Sequence, residues 1–348
     1  MAIDSGLASF SETLWTAATG TYMLAVVAYT GEYAFGKNGR IAKTSVTRPA
    51  VVREPVLAGA GGSAVPPESS TVPPESSTAR PEPGVASPAG RDSGRRWGRI
   101  AVSLTVLGAL FHLASVSIRG IAVGRVPWGN MYEFTLVVGL VATIAWLATL
   151  VRMPQLRYLG LFVMMPVVLL MFLAGALYTK ASKLVPALQS YWLAIHVSSI
   201  ATAEGILLTS AAITGMYLVR ARFERLSAAG TGSGRFHEWG ARLPAAASLD
   251  KAAYRTVAFA FPIYTAGVIF GAIWAEAAWG RYWGWDPKET WAFIAWVIYA
   301  MYLHARATAG WKGSRAAYIN LLGFAAMTFN FFVVNIVISG LHSYAGLN

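Results

Sequence analysis

Residues 279–291, WGRYWGWDPKETW, stand between two apolar segments, Val257 to Trp274 and Trp291 to His304. These thirteen residues hold four tryptophans, one tyrosine, two acids and two bases. Indole rings collect at the boundary between membrane and water because they are apolar bodies with one polar N–H. The plain reading is therefore an aromatic belt. A belt needs only scattered rings, however, and does not call for Trp283, Trp285 and Asp286 crowded around the turn-forming Gly284 and Pro287.

The flanks set the fold class. Of 348 residues, 55 % are apolar and only 13 % charged, with a mean hydropathy of +0.50. A soluble domain carries about 25 % charged residues, so the chain reads as an all-α integral membrane protein, a polytopic helical bundle. A helix needs about 20 apolar residues to cross a hydrocarbon core. Eight segments approach this: Leu14 to Phe35, Ile100 to Ile118, Phe134 to Val151, Tyr158 to Tyr178, Trp192 to Val219, Val257 to Trp274, Trp291 to His304 and Ala317 to Ser339.

The first segment follows Asp4 and Glu12 and precedes Lys37, Arg40 and Lys43, the pattern of an anchor entering from outside rather than a signal peptide. Eight crossings from that start put both termini outside. The cytoplasmic side then receives 22 of the 28 Lys and Arg, in agreement with the positive-inside rule. Membrane insertion thus accounts for most of the net charge of +12, and nucleic acid is not expected as a partner. Three regions follow: an N-terminal anchor over 1–36, a cytoplasmic linker over 37–97 and a membrane domain over 98–348. The linker is rich in Pro, Ser and Glu and repeats VPPESST at 65–71 and 72–78. It offers no face to pack and reads as disordered. Without cysteine, the chain can supply no thiol; any thiol in its chemistry belongs to a substrate or partner.

The five histidines fall on five different segments. His196, near the outer start of the fifth segment, and His342, beyond the outer end of the eighth, flank the tryptophan-rich loop on one side of the membrane. Two imidazoles there suit the two axial positions of a haem iron, with indoles covering the porphyrin. His304 lies 13 residues past Trp291, about 20 Å deeper, and has no histidine at its own depth. His112 reads equally as a packing residue or a ligand, and His237 as a solvated loop residue. Glu204 inside the fifth segment invites a functional reading, and Glu133 fits the N-terminal dipole of the third helix. Arg119, Arg125, Lys180, Lys183, Arg281 and Lys288 are the six outer bases. Arg119 and Arg125 are candidates to meet ligand carboxylates, Lys180 and Lys183 to snorkel, and Arg281 and Lys288 to orient the loop through Asp286 and Glu289.

These residues carry a family likeness. The loop resembles the WWD signature of haem-handling proteins, with the last tryptophan, Trp291, one residue early. PWGNMYE at 127–133, His196, His304 and His342 resemble the CcsA branch (also called CcsB or ResC) of System II cytochrome c biogenesis, over roughly Arg99 to the C-terminus. The resemblance implies a holocytochrome c synthase, or haem lyase, subunit in the cell membrane. His196 and His342 would ligate haem b at the outer face and carry the reaction. Trp279, Trp283, Trp285, Asp286 and Trp291 would form the platform, and His304 would receive haem from the cytoplasmic side opposite a histidine of a ResB-type partner. Apocytochrome c would supply CxxCH thiols, kept reduced by separate thiol-reducing proteins. The rival readings are a haem-containing electron carrier, a haem exporter without synthase activity and a solute channel with an aromatic gate.

Overall fold

The computed structural model describes residues 3–35, 88–184, 188–308 and 310–342, with 88–93 and 235–236 described by their backbone only. The expected linker therefore lies mostly outside the described residues. The described chain is helical: α1 (Ser5–Phe35), α2 (Pro88–Val123), α3 (Met131–Arg152), a 3₁₀ turn (Pro154–Leu159), α4 (Gly160–Ala176), α5 (Tyr191–Ala228), α6 (Arg235–Arg242), α7 (Ala246–Trp279), α8 (Pro287–Ala307) and α9 (Ser314–Phe329). A π-helical turn, Asn330–Val334, extends α9.

Six helices among the described residues are long and apolar enough to cross a membrane: Gly94–Val123, Met131–Arg152, Pro154–Ala176, Tyr191–Ala228, Ala246–Trp279 and Ser314–Val334. Helices α1 and α8, with 31 and 21 residues, have the length but not the hydropathy. Hydroxyl and acidic side chains dilute α1, and α8 carries Lys288, Glu289, His304 and Arg306. Two boundaries also differ from the sequence reading. Helix α2 begins at Pro88, ten residues before the expected domain start at 98. Helix α5 has 38 residues, about 57 Å at 1.5 Å per residue, and so outruns the bilayer.

The bundle has two apolar centres. In the first, α1 lies antiparallel to α2: Ser115 Oγ donates to Ser11 O at 2.7 Å, Tyr22 Oη meets His112 Nδ1 at 3.3 Å and Thr105 Oγ1 donates to Tyr29 Oη at 3.4 Å. Buried Trp146 of α3 donates its indole N–H to the same Tyr29 oxygen at 3.4 Å. In the second, α5 lies antiparallel to α7 and packs against α8 and α9 around Tyr264, Tyr299 and Met327. Small residues let the backbones approach, as membrane helices require where no hydrophobic drive separates protein from lipid. A Cβ on Gly205 of α5 would stand 2.8 Å from Val138 O and Ala142 N of α3, so even alanine there would part the two helices. Within the second centre the Asn320 amide donates to Thr214 Oγ1 at 2.7 Å and Ser210 Oγ at 3.0 Å, and Ser210 donates on to Ala253 O. This chain ties α9, α5 and α7 together in a region without water to take those polar groups.

Ion pairs sit toward the helix ends. Glu133 is buried and accepts from Arg119 Nε at 3.1 Å, Arg125 Nη1 at 2.7 Å and the Gly129 N–H at 2.9 Å. Its position in the first turn of α3, capped by Asn130 Oδ1 on the Glu133 N–H at 2.9 Å, also suits the helix dipole. Arg119 donates further to Thr179 O and Glu12. Arg119 and Arg125 are therefore committed within the protein rather than presented to a ligand's carboxylates. Toward the opposite end, Arg157 pairs with Glu32 at 2.6 Å and Arg306 holds Asp250 through two bonds of 2.6 and 2.9 Å.

Candidate functional site

The tryptophan-rich loop is organised by its two carboxylates. Asp286 caps α8, and Glu289, three residues on, reaches back in a capping box. Glu289 Oε2 accepts from the Gly284 N–H at 2.8 Å and the Asp286 N–H at 3.1 Å, while Oε1 takes Arg281 Nη1 at 3.0 Å. Both bonds straddle Trp285, the described non-glycine residue with a left-handed backbone (φ 59°). That conformation is disfavoured for a bulky residue and is held here by the bonds on either side of it.

Asp286 also reaches across the bundle to the C-terminal segment. It accepts from the Leu341 N–H and from His342 Nδ1, both at 2.8 Å. Burial by itself would raise the Asp286 carboxyl, but the bonds from His342, Leu341 and Lys288 N–H outweigh it and hold the group at about 2. A carboxylate can only accept, so Nδ1 of His342 carries the proton and Nε2 the lone pair. Burial in turn lowers the His342 imidazole from its ordinary value, against the opposing bond to Asp286, and keeps it neutral.

His196 of α5 is oriented in the same way by a different acceptor. Its Nδ1 meets Gly267 O of α7 at 2.7 Å, which again places the lone pair on Nε2. The ring lies in a hollow that exists because residue 271 is glycine: a Cβ there would come within 2.7 Å of His196 Cε1. Trp274 touches both histidines, its indole nearly parallel to His196 (6.1 Å between centroids, 8°) and edge-on to His342 (5.7 Å, 64°). Trp279 meets the His342 ring at 5.0 Å and Trp274 at 4.8 Å.

His196, Trp274 and His342 form a wall common to two adjoining chambers. Glu204, Lys288 and Asn330 also line both, the first chamber adds Trp128 and Asn130, and the second adds Tyr282 and Trp283. The first chamber holds four buried polar atoms without a hydrogen-bond partner: Trp128 Nε1, Asn130 Nδ2, Glu204 Oε2 and Asn330 Oδ1. Buried polar groups are rarely left unpaired, so their concentration here points to a ligand or water with polar groups of its own. Among the described residues no three His, Asp, Glu or Cys side chains gather as a metal-ion site. Two histidines are nevertheless enough for the axial positions of an iron whose other ligands come from a macrocycle.

The structure thus brings together His196, His342, Trp279, Trp283 and Asp286. It sets three expected residues apart from them. Trp285 is 66 % exposed and packs edge-on against Trp283. Trp291 packs against Phe329 at 4.3 Å, between α8 and α9. His304 lies exposed on α8, 17 residues from Pro287 and so about 25 Å along the helix, on the face that also exposes Phe293, Val297 and Met301. Lys288 does not orient the loop through an acidic partner; it donates to Asn335 Oδ1 at 2.6 Å. His112 is buried against Tyr22. His237 is half-buried against Phe223 at 4.5 Å instead of solvated, because α6 folds back on α5.

Sequence reasoning missed Trp274, Lys288 as a chamber residue, and the pairing of Asp286 with His342. Trp274 read as the end of an apolar segment. The pairing joins residues 56 apart, for which no local pattern exists.

Residues 128–342 match the family described as Cytochrome C assembly protein. The chain is 33 % identical over 287 residues to the cytochrome c biogenesis protein CcsA of Pyropia yezoensis, covering 72 % of this chain and 88 % of that protein. It is 34 % identical over 264 residues to CcsA of Parasynechococcus marenigrum, covering 69 % and 85 %. Against CcsA of Guillardia theta it is 41 % identical over 184 residues, 49 % of this chain and 59 % of that one. Among solved structures, cytochrome c heme lyase CcmF aligns over the whole chain with a TM-score of 0.58 and 18 % identity, and this chain spans 49 % of its length; that likeness concerns the fold alone. With the family match extending over most of the chain and ending at His342, this multi-pass membrane protein belongs to the cytochrome C assembly protein family and serves cytochrome c biogenesis.

Proposed function

We propose that this protein binds haem b at the outer face of the cell membrane, between His196 and His342, and presents it for covalent attachment to apocytochrome c. The observation that carries the reading is the matched anchoring of the two imidazoles. Each has its Nδ1 proton engaged, by Gly267 O and by Asp286, and each lines the same pair of chambers. An acceptor on Nδ1 fixes the tautomer and raises the basicity of Nε2 toward iron. The Gly271 hollow and the unpartnered polar atoms of the first chamber fit a large, flat, partly polar ligand. Eight crossings, with α1 and α8 as the two less apolar ones and both termini outside, put this site on the side where the positive-inside rule leaves few bases. The anchor over 1–36 and the linker over 37–97 would then precede the haem-handling domain over 98–348.

Haem is the substrate here. Its vinyl groups each accept one CxxCH thiol of the apocytochrome: sulfur bonds to one vinyl carbon, the thiol hydrogen goes to the other, and no net oxidation occurs. The protein's own contribution is placement. Two fixed imidazoles hold the macrocycle against Trp274 and Trp279, and orientation of this kind is worth several kcal/mol of barrier. Departure of the product requires one of His196 or His342 to yield its iron position to the CxxCH histidine. His304, exposed on α8 and remote from the chambers, suits a second haem contact completed by a ResB-type partner. Trp285, on the exposed tip, suits contact with the incoming polypeptide or lipid.

Two experiments test this reading. Co-expression with a ResB-type subunit and an apocytochrome c should yield covalent haem; haem bound without attachment would mark an exporter. Purified His196→Ala and His342→Ala should each lose the bis-histidine absorption spectrum and regain it with added imidazole. Wild-type spectra and assembly in both variants would overturn the ligand assignment.

A further inference from the structure

Resting on the haem reading above, we propose that Lys288, Trp128 and Asn130 form a carboxylate subsite that receives a propionate of the substrate and so sets which edge of the macrocycle faces outward. Arg119 and Arg125 are both committed to Glu133. Lys288 is the cation that lines both chambers, and no carboxylate lies within ion-pair distance of it among the described residues. Its Nζ has three N–H donors, and the acceptors it reaches are neutral, Asn335 Oδ1 at 2.6 Å and Asn330 O at 3.4 Å, while the carboxyls of Glu204 and Asp286 act on it from beyond ion-pair distance.

A cation held in an apolar cavity by neutral oxygens is costly unless an anion completes the site. The two unpartnered donors of the first chamber, Trp128 Nε1 and Asn130 Nδ2, supply the rest of such a cradle. Asn130 is not free to turn its amide round, because its Oδ1 caps the Glu133 N–H; the amino group is committed to the other direction. The cradle is also tied together. Asn335, which takes the Lys288 ammonium, donates its own amide to Met131 Sδ at 3.2 Å, next in sequence to Asn130. The π-helical turn Asn330–Val334 brings Asn330 and Asn335 to this point, an irregularity of the kind found at functional sites.

This assigns a role to the PWGNMYE stretch, which the histidine and tryptophan motifs leave without one. Glu204 faces the same space from α5, so the subsite has one cation for two potential anions. A ligand acid and Glu204 must lie on different sides of Lys288 or share a proton.

The test compares binding of haem and of haem dimethyl ester, which lacks both carboxylates but keeps the iron and vinyl groups. Dissociation constants are measured by absorption titration on the purified full chain. Wild type should prefer the acid form about tenfold or more, as one charge-assisted pair in a poorly solvated site implies. Lys288→Gln should bring the preference close to unity, read as the acid-to-ester ratio within the one variant so that a general change in chamber affinity cancels, and the bis-histidine spectrum should persist because the iron ligands are untouched. Trp128→Phe, which keeps the ring and removes only the N–H, should reduce the preference about two- to fivefold. An unchanged acid-to-ester ratio in Lys288→Gln overturns the subsite whatever Trp128→Phe does. If Lys288→Gln fails to hold the ester, Trp128→Phe decides, and an unchanged ratio there overturns it. If wild type prefers the ester or is indifferent, the subsite is likewise refuted, whereas failure of wild type to bind either form refutes the haem reading itself.

Discussion

Replacing Asp286 with asparagine changes almost no volume and tests whether this carboxylate sets the state of His342. Asp286 accepts three N–H groups: Leu341 N on Oδ1, and His342 Nδ1 and Lys288 N on Oδ2. An amide offers one accepting oxygen and one donating nitrogen, so no orientation serves all three. With its oxygen toward Leu341, the amide nitrogen faces Lys288 N–H and drives the His342 proton from Nδ1 to Nε2, where it blocks ligation. With its oxygen toward His342, the nitrogen opposes the Leu341 N–H and pushes the C-terminal segment away. Either outcome leaves one buried donor unpaired, at about 1–3 kcal/mol, or roughly 5- to 150-fold in affinity at about 1.4 kcal/mol per tenfold. Outer-sphere partners of metal-bound histidines commonly contribute about 10- to 100-fold. Haem titration of purified Asp286→Asn should therefore show about 10- to 100-fold weaker binding, with partial recovery on adding imidazole. Affinity within twofold of wild type and an unaltered spectrum would refute the reasoning.

Three further outcomes follow from the same geometry. Gly271→Ala places a Cβ within 2.7–2.8 Å of the His196 ring, and should cost about tenfold or more in haem affinity while leaving melting in detergent little changed; unaltered binding would mean that the hollow does not position His196. Glu133→Ala strands two guanidinium groups, Arg119 and Arg125, whereas Arg119→Ala leaves Glu133 still paired with Arg125, so Glu133→Ala should destabilise by about 3–5 kcal/mol and Arg119→Ala by less, read from denaturation in detergent. For pH, Asp286 held at about 2 against an ordinary 3.8 is a depressed acid, so its stabilising latch is complete above 3.8 and lost only as pH falls toward 2. His342 is lowered below 6.5 by burial, so loss of haem affinity through its protonation should be centred below pH 6.5, and a halving centred on pH 6.5 or above would show an unshifted histidine.

The helical membrane class, the loop at 279–291 as the feature to explain, and His196 and His342 as its flanking histidines were all legible in the chain itself. Hydropathy and the placement of bases act through local composition, and a signature loop is contiguous by definition. The count of crossings was less legible: the composition reads as eight, whereas six helices among the described residues have both the length and the hydropathy to cross, and α1 and α8 have the length alone. Their stability rests on pairings such as Ser11 with Ser115 and Tyr264 Oη with Ala292 O.

What only the tertiary structure decided is how the site is wired. Arg119 and Arg125, outer bases by position, turn inward because a buried carboxylate, Glu133, lies within reach. Lys288 faces the chambers because Glu289 spends its carboxylate on the loop's own N–H groups and Arg281. The loop's tryptophans divide by where α7 and α8 aim them: Trp283 toward the second chamber, Trp279 onto Trp274 and His342, Trp285 to the exposed tip, Trp291 into the packing of α8 on α9. The sequence by itself determined which residue types were present for the chemistry. The antiparallel register of α5 on α7 and the return of residues 341–342 to Asp286 decided which nitrogen each histidine presents, because a tautomer is set by the partner of the opposite nitrogen and that partner is distant in the chain.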